Sequence, residues 1–279
     1  MIWGVNFPLI KVGLAVVPPL AFNALRFPFA ALALFLLFRA SRITARPERR
    51  DLPAIIALGI LGHVVYQALF IVGVSRTSAG NASLVLATSP AWTVALSAVT
   101  GQEKVTGPVW AGVGATIVGM ALVVAGGQGA SFGSATLAGD LLMLAAAVGW
   151  AAYTVGSRPL VYRYGPLPIT AWTLWIGTVG VMILGAPGLS RLDPTVLTPG
   201  IWGTVLYAGV LSISVAYVLW NRGVRRLGNA RTAVYSNLVP VVALLAAWVG
   251  LGERPTGLQV LGAAVILAGL RWTRSAPAT

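Results

Sequence analysis

Ten apolar stretches follow one another along the chain, at about 1–17, 19–39, 52–74, 81–100, 108–126, 138–157, 168–187, 200–220, 230–251 and 256–272. Each is near the roughly 20 residues that a helix needs to cross the hydrocarbon core of a bilayer. The links between them are short and carry the chain breakers: Pro18-Pro19, Arg46-Pro47, Gly101, Gly126-Gly127, Gly165-Pro166, Pro187-Gly188 and Gly252. The runs lack the strict alternation of barrel strands. The pattern therefore predicts an all-α polytopic membrane protein with ten transmembrane helices. No link is long enough to hold a soluble domain.

Composition agrees: 57% of residues are hydrophobic and only 9% charged, where a soluble domain carries about 25% charged. The net charge of +13 comes from 19 Lys and Arg against 6 Asp and Glu. These basic residues sit singly or in short runs between apolar stretches, so they mark cytoplasmic loops rather than a nucleic-acid surface. With the N-terminus inside, fourteen of them fall on the cytoplasmic side (Arg39 and Arg42 through Arg271 and Arg274). Three, Arg76, Arg191 and Arg254, fall outside, and Lys11 and Arg26 fall within spans. That bias predicts both termini in the cytoplasm, which an even helix count requires, and a multi-pass location in the inner or plasma membrane. The chain opens Met1-Ile2-Trp3 inside an apolar run with no charged leader, which reads as a span lacking a short preceding stretch rather than as a signal peptide.

The segment around Pro90 repeats around Pro240. Pro90, Glu103, Thr106, Gly107, Gly112 and Gly119 fall on Pro240, Glu253, Thr256, Gly257, Gly262 and Gly269, a constant offset of 150 (240 − 90). Trp3, Lys11 and Pro19 pair with Trp150, Arg158 and Pro166 at an offset of 147 (150 − 3). The repeats are expected at 1–127 and 138–274, five helices each. An odd number forces the second to enter the membrane from the opposite face, the inverted-repeat plan of many secondary carriers.

The motifs "WGVNFPLIK", "LRF", "GNASLVLATSPAWTVALSAVTGQEKVT" and "GNARTAVYSNLVPVVALLAAWVGLGERPT" resemble the drug/metabolite transporter superfamily, EamA type, over essentially the whole chain. Within it the chain is most similar to aromatic amino-acid exporters. The resemblance implies alternating access and export of small metabolites or drugs.

Polar and aromatic residues within spans are the informative ones, because lipid penalises them unless they face protein or a cavity. His63, Tyr66, Gln67 and Phe70 share one helical face (i, i+3, i+4, i+7). Trp150 and Tyr153 in the sixth span, Tyr217 in the eighth, Tyr235 and Asn237 in the ninth, Trp92 beside Pro90 in the fourth, and Trp172 in the seventh join them as expected substrate-binding residues. Asn6 completes the polar set. Such a lining suits a flat, partly apolar solute bearing a few polar groups, and amino acids, aromatic ones included, fit it best. The fifth and tenth spans, nearly devoid of polar side chains and glycine-spaced, read as scaffold. His63 has an equal claim as a hydrogen-bonded packing residue, and Trp110, Trp202, Trp220, Trp248 and Trp272 as an interfacial belt. Pro90 and Pro240 read as flexing points or static kinks. Lys11 and Arg26 are expected to snorkel to the outer surface, with a hold on a substrate carboxylate as the alternative.

The chain has no cysteine, no phosphate-binding loop and no acidic metal cluster, so neither a pump nor an enzyme is indicated. No cofactor or metal is expected, and the expected partners are a small-molecule substrate and the bilayer, with no nucleic acid. A multidrug or nucleotide-sugar-like carrier, proton-coupled or not, is the competing reading. A buried His63 tends to stay neutral, so facilitated diffusion down the solute's own gradient is expected. The charge bias makes a testable statement about sidedness. A cysteine at Ser41 should react with impermeant reagents from the cytoplasm only, and one at Ser131 from outside only. The reverse pattern contradicts the orientation.

Overall fold

A computed structural model describes residues 2–77, 79–126, 136–239, 241–242, 245 and 255–275. Ser131, Pro240, Trp248 and Glu253, which entered the expectations above, lie outside the described residues. Every regular element among the described residues is helical. They are α1 (Ile2–Leu14), α2 (Pro19–Ala40), α3 (Arg49–Arg76), α4 (Ala79–Leu86), α5 (Ser89–Val99), α6 (Gly107–Gly126), α7 (Leu137–Tyr164), α8 (Pro166–Leu189), α9 (Pro199–Leu227), α10 (Asn229–Val234) and α11 (Gly257–Ser275). They follow the ten expected spans in order. Six of them, α2, α3 and α6 to α9, are long and apolar enough to cross a membrane.

The fourth span is interrupted at the two-residue turn Ala87-Thr88, where the backbone tightens but stays in the right-handed helical region. Pro90 sits in the first turn of α5, where its missing N–H costs nothing. The carbonyls left over at the end of α4 are taken by the Thr88 and Ser89 hydroxyls, on Val85 O and Leu86 O at 2.7 Å each. The ninth span loosens at the same register, since α10 passes into a 3₁₀ turn at Tyr235–Leu238, 150 residues beyond 85–88. Gly165 makes a one-residue link between α7 and α8 with φ +93, a conformation that favours glycine.

The helices form two compact units. One holds residues 76–155 and 227 onward; the other holds 2–75 and 156–226. Each takes helices from both halves of the sequence, and α7 contributes its first part to one and its last part to the other.

In the first unit α6 and α11 pack antiparallel on glycines. A Cβ at Gly119 would lie 2.7 Å from Gly262 O, and one at Gly269 would lie 2.7 Å from Gly112 O. Gly112 and Gly262, like Gly119 and Gly269, are repeat mates at the 150-residue offset, so the contact is reciprocal: each glycine meets the mate of the other. Around it Val94, Val113, Val123, Val234, Ile266 and Leu270 form the core. The Glu103 carboxylate accepts from the Asn229 and Ala230 N–H groups and caps the N-terminus of α10. Its charge is favourable there against the helix dipole.

In the second unit α2 and α8 run antiparallel, with Gly185 against Leu20 and Ala24, Gly188 against Ala21, and Trp175 Nε1 donating to Ala31 O at 3.2 Å. Phe27, Ala30, Leu34, Ala171, Leu174 and Ile213 are among its core residues. Both long partners of this pair contain a π-helical segment, Ile60–Val65 in α3 and Tyr207–Val215 in α9. The two segments start 147 residues apart (207 − 60), the offset already seen between Trp3 and Trp150. Wide turns of this kind recur at functional sites.

The glycine contact predicts a contrast within one helix. Gly112→Ala or Gly119→Ala puts a methyl into backbone and should cost about 1–3 kcal/mol as overpacking. Gly114→Ala, which meets nothing within 4 Å, should be neutral or slightly stabilising. Thermal unfolding in detergent reads the difference, and equal melting temperatures for all three would contradict the close approach.

Candidate functional site

The second unit gathers a polar cluster around Arg26, which is 1% exposed in the middle of α2. A guanidinium keeps its proton under any ordinary condition, so this is a charge held inside an apolar bundle. Arg26 Nε donates to Asn23 Oδ1 at 3.0 Å and Nη2 donates to Gln67 Oε1 at 2.8 Å. Asn23, one turn before, donates from Nδ2 to Gln67 O at 3.0 Å. Gln67 Nε2 donates to the Tyr217 hydroxyl at 2.8 Å, tying α3 to α9. The Phe22 ring lies 5.5 Å from the guanidinium carbon, and Tyr66 and Tyr217 lie within its electrostatic reach. Every one of these partners is neutral.

His63 extends the cluster. Its ring stacks on Tyr217 with centroids 5.3 Å apart, and Nε2 lies 3.1 Å from Thr173 Oγ1 of α8. Gly177 leaves room for it, since a Cβ there would strike the histidine's own Cβ. Tyr66 stacks on Phe70 at 5.9 Å. Trp3 sets its ring edge-on to Tyr217 at 6.3 Å and donates from Nε1 to Ser212 O at 2.9 Å. Asn6 is buried on α1, and its Oδ1 has no hydrogen-bond partner among the described residues.

The structure thus brings His63, Gln67 and Tyr217 into direct contact, with Tyr66 beside the same guanidinium. Trp172 lies elsewhere in this unit. It packs edge-on to Tyr164 at 5.3 Å, next to a latch in which Asp51 takes hydrogen bonds from Tyr164 at 2.5 Å and Arg163 at 2.6 Å. The remaining expected residues belong to the first unit. Trp150 and Tyr153 are buried with ring centroids 5.5 Å apart. Tyr235 packs half-buried on the apolar core. Asn237 donates to Thr116 Oγ1 at 2.8 Å, so it engages the fifth span. Trp92 is 39% exposed and donates to Thr88 Oγ1 at 3.3 Å. A recess of about 470 Å³ among the loops, lined by Val16, Pro187, Arg191 and Asp193, contains none of the expected site residues.

Two expectations are corrected. Arg26 does not snorkel, because Asn23 and Gln67 hold it inward. Lys11 is half-buried and reaches the carbonyl end of α3, donating to Val74 O at 2.8 Å, where the helix dipole attracts a cation. Trp220 is buried against Trp3 with centroids 5.4 Å apart and so leaves the interfacial belt. Asp140 adds a buried carboxylate at the start of α7, accepting from Thr77 at 2.6 Å and from Asn81 at 3.0 and 3.1 Å. Among the described residues no three His, Asp or Glu side chains converge as a metal site.

Asn23 was missed by the sequence reading. The available signal was its i, i+3 spacing from Arg26, which puts an amide and a cation on one face of an otherwise apolar helix.

Comparison with known proteins places these features in a family. The chain is 35% identical to a probable terminal-alkyne amino-acid exporter from Streptantibioticus cattleyicolor, over 96% of this chain and 88% of that one. It is 30% identical to a probable amino-acid metabolite efflux pump from Escherichia coli, over 97% and 90%. A crystal structure 23% identical in sequence shares the fold, with a TM-score of 0.80 over 97% of this chain and 92% of that one. Residues 1–125 and 137–274 each match the EamA-like transporter family, and this multi-pass membrane protein belongs to it.

Proposed function

We propose that this protein exports amino acids, aromatic ones included, by alternating access in the cell membrane, with both termini cytoplasmic. The observation that carries the reading is the cluster of the second unit, where a buried guanidinium, an amide and a phenol meet aromatic rings within membrane-spanning helices. An α-amino acid needs a donor-rich group for its carboxylate, acceptors for its ammonium and, if aromatic, ring surface. Arg26, the Tyr217 hydroxyl with Asn6 Oδ1, and Tyr66 with His63 are groups of those kinds. The names carried by relatives at 30–35% identity support the same substrate class. A multidrug carrier for cations would gain from a carboxylate at the cluster, where a cation stands instead, which ranks that reading second.

Trp92, Trp150, Tyr153, Trp172, Tyr235 and Asn237 remain proposed contributors to substrate binding in addition to the cluster. The two five-helix repeats, 1–127 and 138–274, are proposed to enter the membrane in opposite senses, which would let one packing plan serve both faces. Transport is proposed to run down the solute gradient without proton coupling, because the cluster is built around a group that does not titrate.

Proteoliposomes test this. Labelled phenylalanine or tryptophan should enter without a pH gradient and should stop at equilibrium. Tyr66→Ala, His63→Ala and Trp150→Ala should each slow entry several-fold, since single contacts of this kind are worth about 1 kcal/mol. Accumulation driven by an imposed proton gradient, or full activity in all three variants, contradicts the reading.

A further inference from the structure

We propose that the Arg26 guanidinium is the carboxylate-binding group of this carrier, so that a free carboxylate is a requirement for transport. The inference rests on the amino-acid reading above and names the part of the substrate that this site selects.

The first argument is one of charge. Arg26 is enclosed by α2, α3 and α9, and no carboxylate among the described residues neutralises it; Asn23, Gln67, Phe22 and the two tyrosines are all uncharged. Burying an ion without a counter-ion is costly, and carriers keep such ions where they act on the solute. A guanidinium has five N–H donors in a planar fork matched to a carboxylate. The two hydrogen bonds to Asn23 and Gln67 fix the plane of the fork and leave donors over.

The second argument removes the structural alternative. Arg26 is not needed to join α2 to α3, because Asn23 Nδ2 already bonds Gln67 O. Nor does the packing plan need a cation there. Adding the 147-residue offset to 26 gives Thr173 of α8, and the two positions play matching parts. The Arg26 carbonyl lies against Gly209 of α9 and the Thr173 carbonyl against Gly59 of α3. Thr173 is neutral and returns its hydroxyl to Ile169 O at 2.7 Å. One packing arrangement therefore occurs twice, served once by threonine and once by arginine. What differs between the two copies is a charge, and the fold does not explain that difference.

The third argument concerns the surroundings. The rings of Phe22, Tyr66, Tyr217 and His63 gather about the guanidinium and its Gln67 partner. They exclude water and strengthen an ion pair formed there. Phe70 stacks on Tyr66 and enlarges the ring surface, which suits a solute with an anionic end and an apolar body.

The test is competition in proteoliposomes carrying the full chain, read as the initial rate of labelled phenylalanine uptake against rising phenylalanine or phenylalaninamide. In the wild type the amide, which lacks the carboxylate, should compete at least about tenfold more weakly. Arg26→Gln should reduce that preference to near parity, and Arg26→Lys, which keeps the charge but loses the fork, should retain part of it. Equal competition by acid and amide in the wild type overturns the inference whether or not the variants fold. So does an undiminished preference in Arg26→Gln. Wild-type vesicles that move no amino acid at all would instead sink the exporter reading itself, so the two failures are distinguishable.

Discussion

A guanidinium that cannot lose its proton, enclosed by apolar helices, is the constraint around which the second unit is organised. Lipid offers it nothing, and no described carboxylate balances it, so neutral hydrogen-bonding side chains must come to it from three helices. Asn23 comes from its own helix one turn away, Gln67 from α3, and Tyr217 from α9 holds Gln67 in place. Tyr217 in turn carries His63 on its face, and His63 reaches Thr173 of α8. The aromatic character of the cluster and its polarity are thus two consequences of housing one charge.

The glycines answer the complementary constraint. Without a hydrophobic driving force between helices in lipid, close van der Waals approach has to hold them together. The reciprocal Gly112–Gly269 and Gly119–Gly262 contacts do this in the first unit, and Gly177, Gly185 and Gly188 do it along α8 in the second. Rigid glycine seams and wide π turns at Ile60–Val65 and Tyr207–Val215 divide the labour. The seams hold helices in register, and the π segments adjoin the residues proposed to bind the solute, Tyr66, Gln67 and Tyr217.

Much of this was legible in the sequence. Apolar run length placed the helices, most ends falling within about three residues, because a bilayer demands a minimum apolar length; α7 and α9 run seven residues past their expected ends (164 − 157, 227 − 220) into charged sequence that apolarity does not mark. Glycine spacing in the fifth and tenth spans marked them as close-packing helices, and helical spacing put His63, Tyr66 and Gln67 on one face; which glycine meets which emerged only in three dimensions. The environment of charges was not legible. Snorkelling is the ordinary fate of a lone cation in a span, and only the positions of Asn23 and Gln67 in space reverse it for Arg26. Glu103 shows the same limit: its role as the cap of α10 depends on a residue 126 positions away. Proline near mid-span read as a flexing point or kink, and the Thr88 and Ser89 hydroxyls take up the carbonyls freed at that turn.

The most direct measurement is a double-mutant cycle on stability in detergent, combining Arg26→Met with Gln67→Leu. If Gln67 exists to host the charge, Gln67→Leu should be strongly destabilising alone and nearly harmless once Arg26 is methionine, a coupling of about 1.5–3 kcal/mol. Losses that add to within about 0.5 kcal/mol would show that the two side chains do not depend on one another, and that Arg26 is not the centre of the cluster.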